Sequence, residues 1–373
     1  MKFHNPVNIS FGSKSRVGLV EEISDQSVLF ICTKNTLKRL SNDPYINKIL
    51  INKDIVFEHE FSSNPSLQDV IKISEKYKNN PYKFIVGLGG GSAIDVAKIS
   101  SVLIPALNQG FKFEDLDKDP SLFKKIIEID SILIPTTAGT GSEVTPFATV
   151  WDYENKNKKS LSNEKMFAKK TFIDPDFLID IPIEIALTTA LDALNQAFES
   201  IWNKNSNEYT RLISRMAIEK SFFAIPNLKK ISTDELIRKQ LAYASLFAGL
   251  SISQTRTSIC HSISYPLTMK YDIPHGLACA FSMLEVYKFN ERFISDDIKK
   301  IRMSCNEDPF QLLKSIFNQY DLKAYFLAKL PKKEKFITGI NDFITQGRFE
   351  NNIRICKKED LLNILSGSYN ELY

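Results

Sequence analysis

The sequence lacks the features that mark secreted chains and chains that span a membrane. Its five cysteines are odd in number and form no CxxC pair, which argues against a zinc knuckle or a redox dithiol and favours a reducing compartment. No uninterrupted apolar run approaches the roughly 20 residues that cross a bilayer, and the first residues carry no apolar signal-peptide core. We therefore expect a cytoplasmic protein that does not enter a membrane.

A strong excess of charge of one sign is also missing. The 48 Lys and Arg residues against 44 Asp and Glu give a formal net charge of +4, which is too small and too dispersed for a nucleic-acid footprint. The fractions of hydrophobic residues, 43%, and of charged residues, 25%, are those of an ordinary globular protein. The composition therefore argues against a nucleic-acid partner.

The first half of the chain predicts an α/β domain. Apolar runs at 28–32, 84–88 and 132–135 are bounded by polar or glycine-rich residues and alternate with helical patterns. Such alternation is typical of parallel strands joined by helices, with ligands bound at the carboxyl ends of the strands. Because 373 residues exceed the usual size of one domain, we expect a dinucleotide-binding domain at residues 1–180.

The second half has sparse glycine and long helical patterns, at 183–202 and 212–223. Pro182 is suited to the start of the first of these helices, because proline is favoured in a first turn. We expect an all-α domain at residues 181–373 that binds metal and substrate. The helices after Lys299 carry no recognisable motif and are expected to cap this domain. In the first half, the short stretch Lys156–Lys159 is predicted to be the tip of a β-hairpin.

Two loops predict a dinucleotide site. Gly89-Gly90-Gly91-Ser92 stands between a predicted strand and a predicted helix at 93–103, so its N–H groups and the helix dipole could hold a pyrophosphate. A glycine-rich turn without a ligand is the alternative, but the loop at 135–143 supplies hydroxyls at the end of another strand. The residues assigned to the cofactor from these loops are Gly89, Gly90, Gly91, Ser92, Thr136, Thr137, Thr140 and Ser142.

A metal site is predicted in the helical half. Asp192 and Gln196 lie four apart in a helical pattern and so project from one face. Two of only four histidines, His261 and His275, fall in one short segment. One carboxylate and two imidazoles suit Fe²⁺ or Zn²⁺, and Gln196 could add a carbonyl oxygen. The alternative is that each histidine is a hydrogen-bonded structural residue.

Four motifs of this sequence resemble the signatures of the iron-containing, or group III, alcohol dehydrogenases. They occur in the same order as in that family. The resemblance extends from Phe11-Gly12 to about residue 285. It implies a Rossmann-like amino-terminal domain, a helical carboxy-terminal domain and a cofactor in the cleft between them, as in the dehydroquinate synthase-like architecture. It also implies a homodimer paired through the edge of the first domain. The motifs are GGGSAIDVAK (89–98), PTTAGTGSEVT (135–145), LDALNQAFES (191–200) and HSISYPLTMKYDIPHGLACAF (261–281).

The resemblance places Asp192, His261 and His275 on metal-ligand positions. It also shows two departures, because Gln196 stands where the family commonly has a histidine ligand and Tyr265 replaces a histidine that many relatives place near the substrate. The mechanism that follows is metal-assisted reduction of an aldehyde by hydride transfer from NADPH or NADH. Water or Tyr265 then returns a proton to the alkoxide.

The segments 194–203 and 251–268 resemble the phosphonoacetaldehyde reductase branch of this family, whose members produce 2-hydroxyethylphosphonate. Arg256 lies five residues before His261, and a guanidinium binds phosphonate oxygens bidentately. The alternative is that Arg256 makes a structural ion pair with a helix carboxylate. A substrate in this branch is a small phosphonate aldehyde.

The cofactor preference is predicted from Lys34. Many relatives have an acidic residue after the first strand that hydrogen-bonds the adenosine ribose and repels a 2′-phosphate. Lys34 falls on that position and would attract the phosphate, which favours NADPH over NADH. Asp95 and Lys159 complete the predicted cofactor site.

Two other functions remain open from the sequence. One is a reductase of uncharged short aldehydes, or a diol oxidoreductase, which needs no anion pocket. The other, of a different class, is a catalytically inactive relative that binds nucleotide as a sensor or scaffold.

Overall fold

The computed structural model describes residues 3–50, 55–62, 64–154, 157–345 and 347–371. Their contacts divide the chain into two compact units. The sheet unit comprises the described parts of Asn5–Thr137 and Gly141–Ile181. The helical unit comprises those of Met1–His4, Ala138–Thr140 and Pro182–Tyr373.

The sheet unit contains the strands of the described residues. They are β1 (Asn8–Phe11), β2 (Val28–Cys32), β3 (Ile55–Glu58), β4 (Phe84–Gly89), β5 (Asp130–Pro135), β6 (Phe147–Asp152), β7 (Asn157–Ser162) and β8 (Lys170–Ile173). Six of them form one parallel sheet in the order β1-β8-β5-β4-β2-β3. All residues of β2 and β4 are buried, as expected for parallel strands covered on both faces.

The strand order creates a topological switch point. From β2 the chain moves outward to β3 at the edge and then returns to β4 on the other side of β2. Connections that leave in opposite directions open a crevice at the carboxyl ends of such strands, where α/β proteins bind ligands. The predicted glycine loop follows β4 at this edge, and the hydroxyl-rich loop follows its neighbour β5.

Among the described residues, six α-helices connect these strands. They are α1 (Val17–Glu22), α2 (Lys34–Leu40), α3 (Pro44–Leu50), α4 (Leu67–Tyr77), α5 (Gly91–Asn108) and α6 (Phe113–Lys118). The helix predicted at 93–103 is longer in the structure, because Gly90 starts it and the apolar pattern continues through Ile104 and Ala106.

The predicted hairpin tip at 156–159 is wrong in its position. Lys156 lies outside the described residues, and Lys158 and Lys159 belong to β7, which pairs antiparallel with β6. Lys158 pairs with Trp151, and its ammonium lies 5.1 Å from the centre of the indole ring. This cation–π contact lets a lysine-rich segment extend the strand instead of turning.

The helical unit is built around a central helix. Its helices are α7 (Ile183–Ile201), α8 (Glu208–Ala224), α9 (Glu235–Thr255), α10 (Ile259–Tyr271), α11 (His275–Asn290), α12 (Ser295–Cys305), α13 (Pro309–Gln319), α14 (Leu322–Lys329), α15 (Lys333–Ile337) and α16 (Lys358–Asn370). Helix α7 packs against α8, α9 and α11, and all its residues from Ala190 onward are buried. The predicted fold class, α/β followed by all-α, is confirmed.

Local signals explain where these helices begin. Pro182 precedes α7 as predicted. The helix predicted to start at Leu212 begins instead at Glu208, because Asn207 and Thr210 form a reciprocal capping box. Within the described residues, no helix combines the length and apolarity that a bilayer crossing requires.

Candidate metal centre and cofactor loops

Four potential metal ligands meet in the helical unit. Asp192 of α7, His261 of α10, and His275 and Cys279 of α11 bring their ligand atoms within 4.8 Å of one another. His261 Nε2 lies 3.3 Å from Asp192 Oδ1, and Cys279 Sγ lies 3.9 Å from His275 Nε2. A tetrahedron with metal–ligand bonds of about 2.0 to 2.3 Å has edges of roughly 3.3 to 3.8 Å. The two distances from His261 to Asp192 and from His275 to Cys279 are therefore close to those between ligands of a single ion.

Glu199 orients the first histidine. This buried carboxylate accepts from His261 Nδ1 at 2.6 Å, from His261 N at 3.1 Å and from Ser258 N at 3.0 Å. Burial would raise the pKa of Glu199, but His261 and the two backbone N–H groups bring it below its usual value. With Nδ1–H donating to Glu199, the lone pair of Nε2 faces Asp192 and is available to a cation.

The second histidine is oriented by a serine. Ser264 Oγ donates to His261 O at 2.7 Å and lies 3.3 Å from His275 Nδ1. Because its hydrogen is used, the hydroxyl accepts from Nδ1–H, which leaves His275 Nε2 to face Cys279. No sequence motif predicted a role at the metal centre for Ser264 or Glu199.

A glycine lets the two ligand-bearing helices approach. A Cβ on Gly276 would lie 1.8 Å from Thr188 O and 3.1 Å from the Cβ of Asp192. Only a residue without a side chain fits there, so the first turn of α11 lies directly against α7. This contact brings His275 to the turn of α7 that carries Asp192.

The side-chain amide of Gln196 shows that these residues suit a bound cation. Its Nε2 donates to Thr140 O at 3.4 Å. Its Oε1 is buried, and no donor in the described part of the chain lies within hydrogen-bonding distance of it. A buried oxygen in that state costs about 1–3 kcal/mol, and a bound cation would remove the cost. The residues present therefore fit a divalent metal ion.

Replacing Glu199 by glutamine is expected to weaken metal binding about 10- to 100-fold, as is usual when the partner of a ligand histidine is changed. Glutamine has the same shape, but its NH₂ group would face one of three N–H donors. The measurement is the metal dissociation constant by chelator competition, with Glu219→Gln on the surface of α8 as control. An unchanged metal affinity in Glu199→Gln would show that Glu199 does not position His261.

The two predicted catalytic residues lie on either side of His261 in the sequence. The Tyr265 ring stacks on His275, with centroids 6.0 Å apart and an interplanar angle of 19°. Arg256 ends α9 with φ 66° and ψ 176°, a region that is populated almost only by glycine and that costs about 1–3 kcal/mol. Strain of this size persists where surrounding contacts impose it.

Hydrogen bonds hold the Arg256 backbone in that conformation. Its carbonyl accepts from Asn203 Nδ2 at 3.1 Å and from Thr255 Oγ1 at 2.9 Å. Burial lowers the pKa of Arg256 to about 10, and the positive charge of Arg348 also lowers it. Both causes lower this pKa, and neither is a carboxylate.

Arg348 is tied to the same place by an asparagine. Asn351 Nδ2 donates to Thr257 O at 2.9 Å and to Gly347 O at 3.0 Å. It thereby joins the residue after Arg256 to the residue before Arg348. No sequence motif indicated this pairing.

The start of α10 makes a second connection. Ser262 Oγ donates to Phe343 O at 2.6 Å and accepts from Thr345 N at 2.7 Å. Because Ser262 follows His261, the segment that leads to Arg348 is anchored beside a metal-ligand candidate. These bonds bring the chain next to Arg256 and the chain that leads to Arg348 together near the end of α10 that carries His261.

In the sheet unit the predicted cofactor loops are adjacent. Gly89 has φ +154°, and a Cβ there would lie 2.8 Å from the Cβ of Ala93, so glycine is needed where β4 enters α5. Thr136 N donates to Gly89 O at 2.8 Å. A Cβ on Gly90 would lie 3.4 Å from Thr137 Oγ1. Gly91 and Ser92 form the first turn of α5, whose N–H groups suit a phosphate.

Two other predicted cofactor residues, Asp95 and Ser142, hydrogen-bond to each other in the sheet unit. Asp95 accepts from Ser142 Oγ at 2.5 Å and from Thr149 N at 3.0 Å. The buried Lys98 donates to Ser142 O at 2.9 Å and to Thr145 Oγ1 at 3.0 Å. These bonds fix the backbone of the second cofactor loop, so Asp95 has a positioning role in the structure.

The structure also locates the three remaining predicted cofactor residues. Lys159 forms an ion pair with Asp117 at 2.8 Å. Thr140 belongs to the helical unit, where it meets Gln196. Lys34 begins α2 and is exposed. It lines a cavity of about 460 Å³ whose lining residues are Thr33, Lys34, Asn35, His59, Glu60 and Phe61.

Comparison with known proteins identifies both halves. Residues 6–175 match the model of "Iron-containing alcohol dehydrogenase" and residues 186–369 that of "Fe-containing alcohol dehydrogenase family, C-terminal". Sulfoacetaldehyde reductase of Bilophila wadsworthia is 30% identical over 326 residues, 83% of each chain. Phosphonoacetaldehyde reductase of Streptomyces viridochromogenes is 30% identical over 219 residues, 57% of this chain and 54% of that one. The crystal structure of an iron-containing alcohol dehydrogenase from Thermotoga maritima is 28% identical, with a TM-score of 0.83 over 99% of both chains.

Proposed function

Because the chain belongs to the iron-containing alcohol dehydrogenase family, we propose that it reduces phosphonoacetaldehyde to 2-hydroxyethylphosphonate with NADPH. As a member of that family it is a metal-dependent alcohol dehydrogenase that uses NAD(P)H and a divalent metal. The observation that carries the proposed substrate is the arginine pair, Arg256 and Arg348, beside the start of α10.

The arginine pair suits a phosphonate. The positive charge of Arg348 acts on Arg256, and an anion bound between two such side chains would remove their repulsion. A guanidinium presents a planar fork to two oxygens of one tetrahedral group. The backbone strain at Arg256 supports the same assignment, since strained residues are concentrated at functional sites.

The charge of the substrate favours a phosphonate over a sulfonate. Like a phosphate ester, a phosphonate carries between one and two negative charges near neutral pH, whereas a sulfonate carries one. Two arginines therefore match the phosphonate more closely. The two relatives named above are described as reductases of phosphonoacetaldehyde and sulfoacetaldehyde, which are two-carbon aldehydes with an anionic tetrahedral group.

The metal would be held by Asp192, His261 and His275, with Gln196 beside them. When bound, a divalent ion supplies Lewis acidity that stabilises negative charge on the aldehyde oxygen. Around it, Glu199 and Ser264 keep the two imidazoles in the required tautomers. Water or the Tyr265 hydroxyl returns the proton to the alkoxide oxygen.

The cofactor would be bound by the glycine loop at 89–92 and the hydroxyl-rich loop at 136–142. The first turn of α5 offers N–H groups to the pyrophosphate. Lys34 lines a cavity at the ends of β2 and β3, where its ammonium would attract a 2′-phosphate on the adenosine ribose.

Reversing the charge at Lys34 tests the preference for NADPH. Lys34→Glu is expected to lower kcat/KM for NADPH by at least about 10-fold, equivalent to about 1.4 kcal/mol, and to leave NADH nearly unaffected, because only NADPH carries the 2′-phosphate. Lys38→Glu, one turn along the exposed face of α2, is the matched control. An equal loss with both cofactors, or none with either, would contradict this role of Lys34.

The proposed reaction is tested by its product. Purified protein loaded with Fe²⁺ or Zn²⁺ is incubated with NADPH and phosphonoacetaldehyde, and ³¹P NMR follows the phosphorus. We expect 2-hydroxyethylphosphonate in a one-to-one ratio to NADPH consumed. NADPH oxidation with uncharged aldehydes but not with phosphonoacetaldehyde would overturn the substrate and leave the family assignment intact.

A further inference from the structure

We infer that the Cys279 thiolate is a direct ligand of the metal, so that this centre is an aspartate, two-histidine, cysteine site. The inference does not rest on the identity of the aldehyde. It rests on the position of Sγ, which lies with the Asp192, His261 and His275 ligand atoms in one group whose members are all within 4.8 Å.

Helix geometry places Cys279 at the site. It follows His275 by four residues on α11, so the two side chains lie one turn apart on the same face. The Cys279 carbonyl accepts from Asn195 Nδ2 at 3.0 Å, and Asn195 stands between Asp192 and Gln196 on α7. This bond fixes the turn of α11 that carries the thiol against the turn of α7 that carries the carboxylate.

Chemistry gives the thiolate a reason to bind. Gln196 offers only a neutral amide oxygen, which is a weaker donor than imidazole or thiolate for zinc and similar ions. When the metal binds, the thiol proton leaves to solvent and a lone pair of Sγ forms the metal–sulfur bond. No electron is transferred in this step. One carboxylate and one thiolate then neutralise the two charges of the ion in a buried place, where an uncompensated charge is costly.

The thiolate also predicts which metal is preferred. Soft sulfur ligands favour zinc over magnesium or manganese, and a mixed set of nitrogen, oxygen and sulfur ligands suits zinc. We therefore expect this protein to retain Zn²⁺ or Co²⁺ more strongly than Mn²⁺. We expect Cys279→Ser to lower the affinity for Zn²⁺ by at least about 100-fold, more than a change in the outer shell does, and to affect Mn²⁺ much less.

A neighbouring cysteine offers a matched control. Cys260 is also fully buried and precedes His261 on α10, but it is not part of the four-residue ligand group found among the described residues. Both positions are changed to serine, and each protein is loaded with Co²⁺. Absorption spectroscopy then reports a bound thiolate directly, because sulfur-to-cobalt charge transfer gives a near-ultraviolet band that nitrogen and oxygen ligands do not.

The expected result is a charge-transfer band in the unaltered protein and in Cys260→Ser, and its loss in Cys279→Ser with Co²⁺ still bound. A band that survives in Cys279→Ser, or that is absent from the unaltered protein, would overturn the inference. If Cys279→Ser does not fold, X-ray absorption of the unaltered zinc protein decides. One sulfur at about 2.3 Å supports the ligand, and a shell of only nitrogen and oxygen at about 2.0–2.2 Å refutes it.

Discussion

Replacing Arg256 by alanine is expected to lower kcat/KM for phosphonoacetaldehyde about 10²- to 10³-fold while leaving kcat/KM for propionaldehyde within about 3-fold. Losing one partner of a charged contact in a site costs about 2–5 kcal/mol, which gives a fold-change of this size. Propionaldehyde has no anionic group, so it does not use the contact. The measurement is steady-state NADPH oxidation with both substrates.

Backbone strain makes a second variant at Arg256 informative. Alanine keeps a Cβ at φ 66° and is strained like arginine, whereas glycine relieves the strain. Arg256→Gly should therefore be at least as stable as Arg256→Ala and lose the phosphonate preference equally. Activity that falls alike with both aldehydes in the two variants would instead assign Arg256 a structural role.

The partner arginine and a surface arginine complete this series. Arg348→Ala is expected to show the same selective loss as Arg256→Ala, and the double variant less than the product of the two losses, because both residues contact one group. Arg292, exposed after α11, serves as control, and Arg292→Ala should not change the ratio of the two aldehydes. A full effect of Arg256→Ala with none for Arg348→Ala would exclude Arg348 from the anion site.

Replacing His261 by alanine is expected to reduce bound metal from about one ion per chain to nearly none and to lower kcat/KM for any aldehyde by at least about 10³-fold, equal to about 4 kcal/mol. His261 faces Asp192 with Nε2 and Glu199 with Nδ1, so its loss removes a ligand and leaves a buried carboxylate without its partner. The measurements are metal content by elemental analysis and turnover with NADPH.

His4 is the control for this change, since it is exposed and far along the sequence from the cluster. His4→Ala should keep both metal and activity. Circular dichroism establishes that His261→Ala remains helical. Undiminished turnover of His261→Ala in chelator-treated buffer would contradict the assignment of the metal centre.

The fold was predictable because its signals are local. Strand β2 lies on the predicted residues 28–32, and β4 and β5 extend their predicted runs by one and two residues. Buried parallel strands need continuous apolar runs bounded by polar residues, and that pattern is visible without tertiary information. The error in the position of the hairpin tip has a tertiary cause, because Lys158 and Lys159 are held in β7 by Trp151 and Asp117.

The candidate site was only partly visible in the sequence. Glu199 and Cys279 follow Asp192 and His275 by seven and four residues, which is helical spacing, so periodicity could have found both. The arginine partner is different. Arg348 comes 92 residues after Arg256, and tertiary contacts, among them the hydrogen bonds of Asn351 and Ser262, bring its segment to the start of α10. Pairings of this kind are set by tertiary packing and leave no local pattern.

The most direct test of the central claim is the ratio of kcat/KM for phosphonoacetaldehyde to that for propionaldehyde, measured with the metal-loaded, unaltered protein and NADPH. A site with two arginines predicts a ratio of at least about 10², the equivalent of roughly 3 kcal/mol from the anionic group. A ratio near one would contradict an anion site at Arg256 and Arg348 and indicate a general aldehyde reductase of the same family.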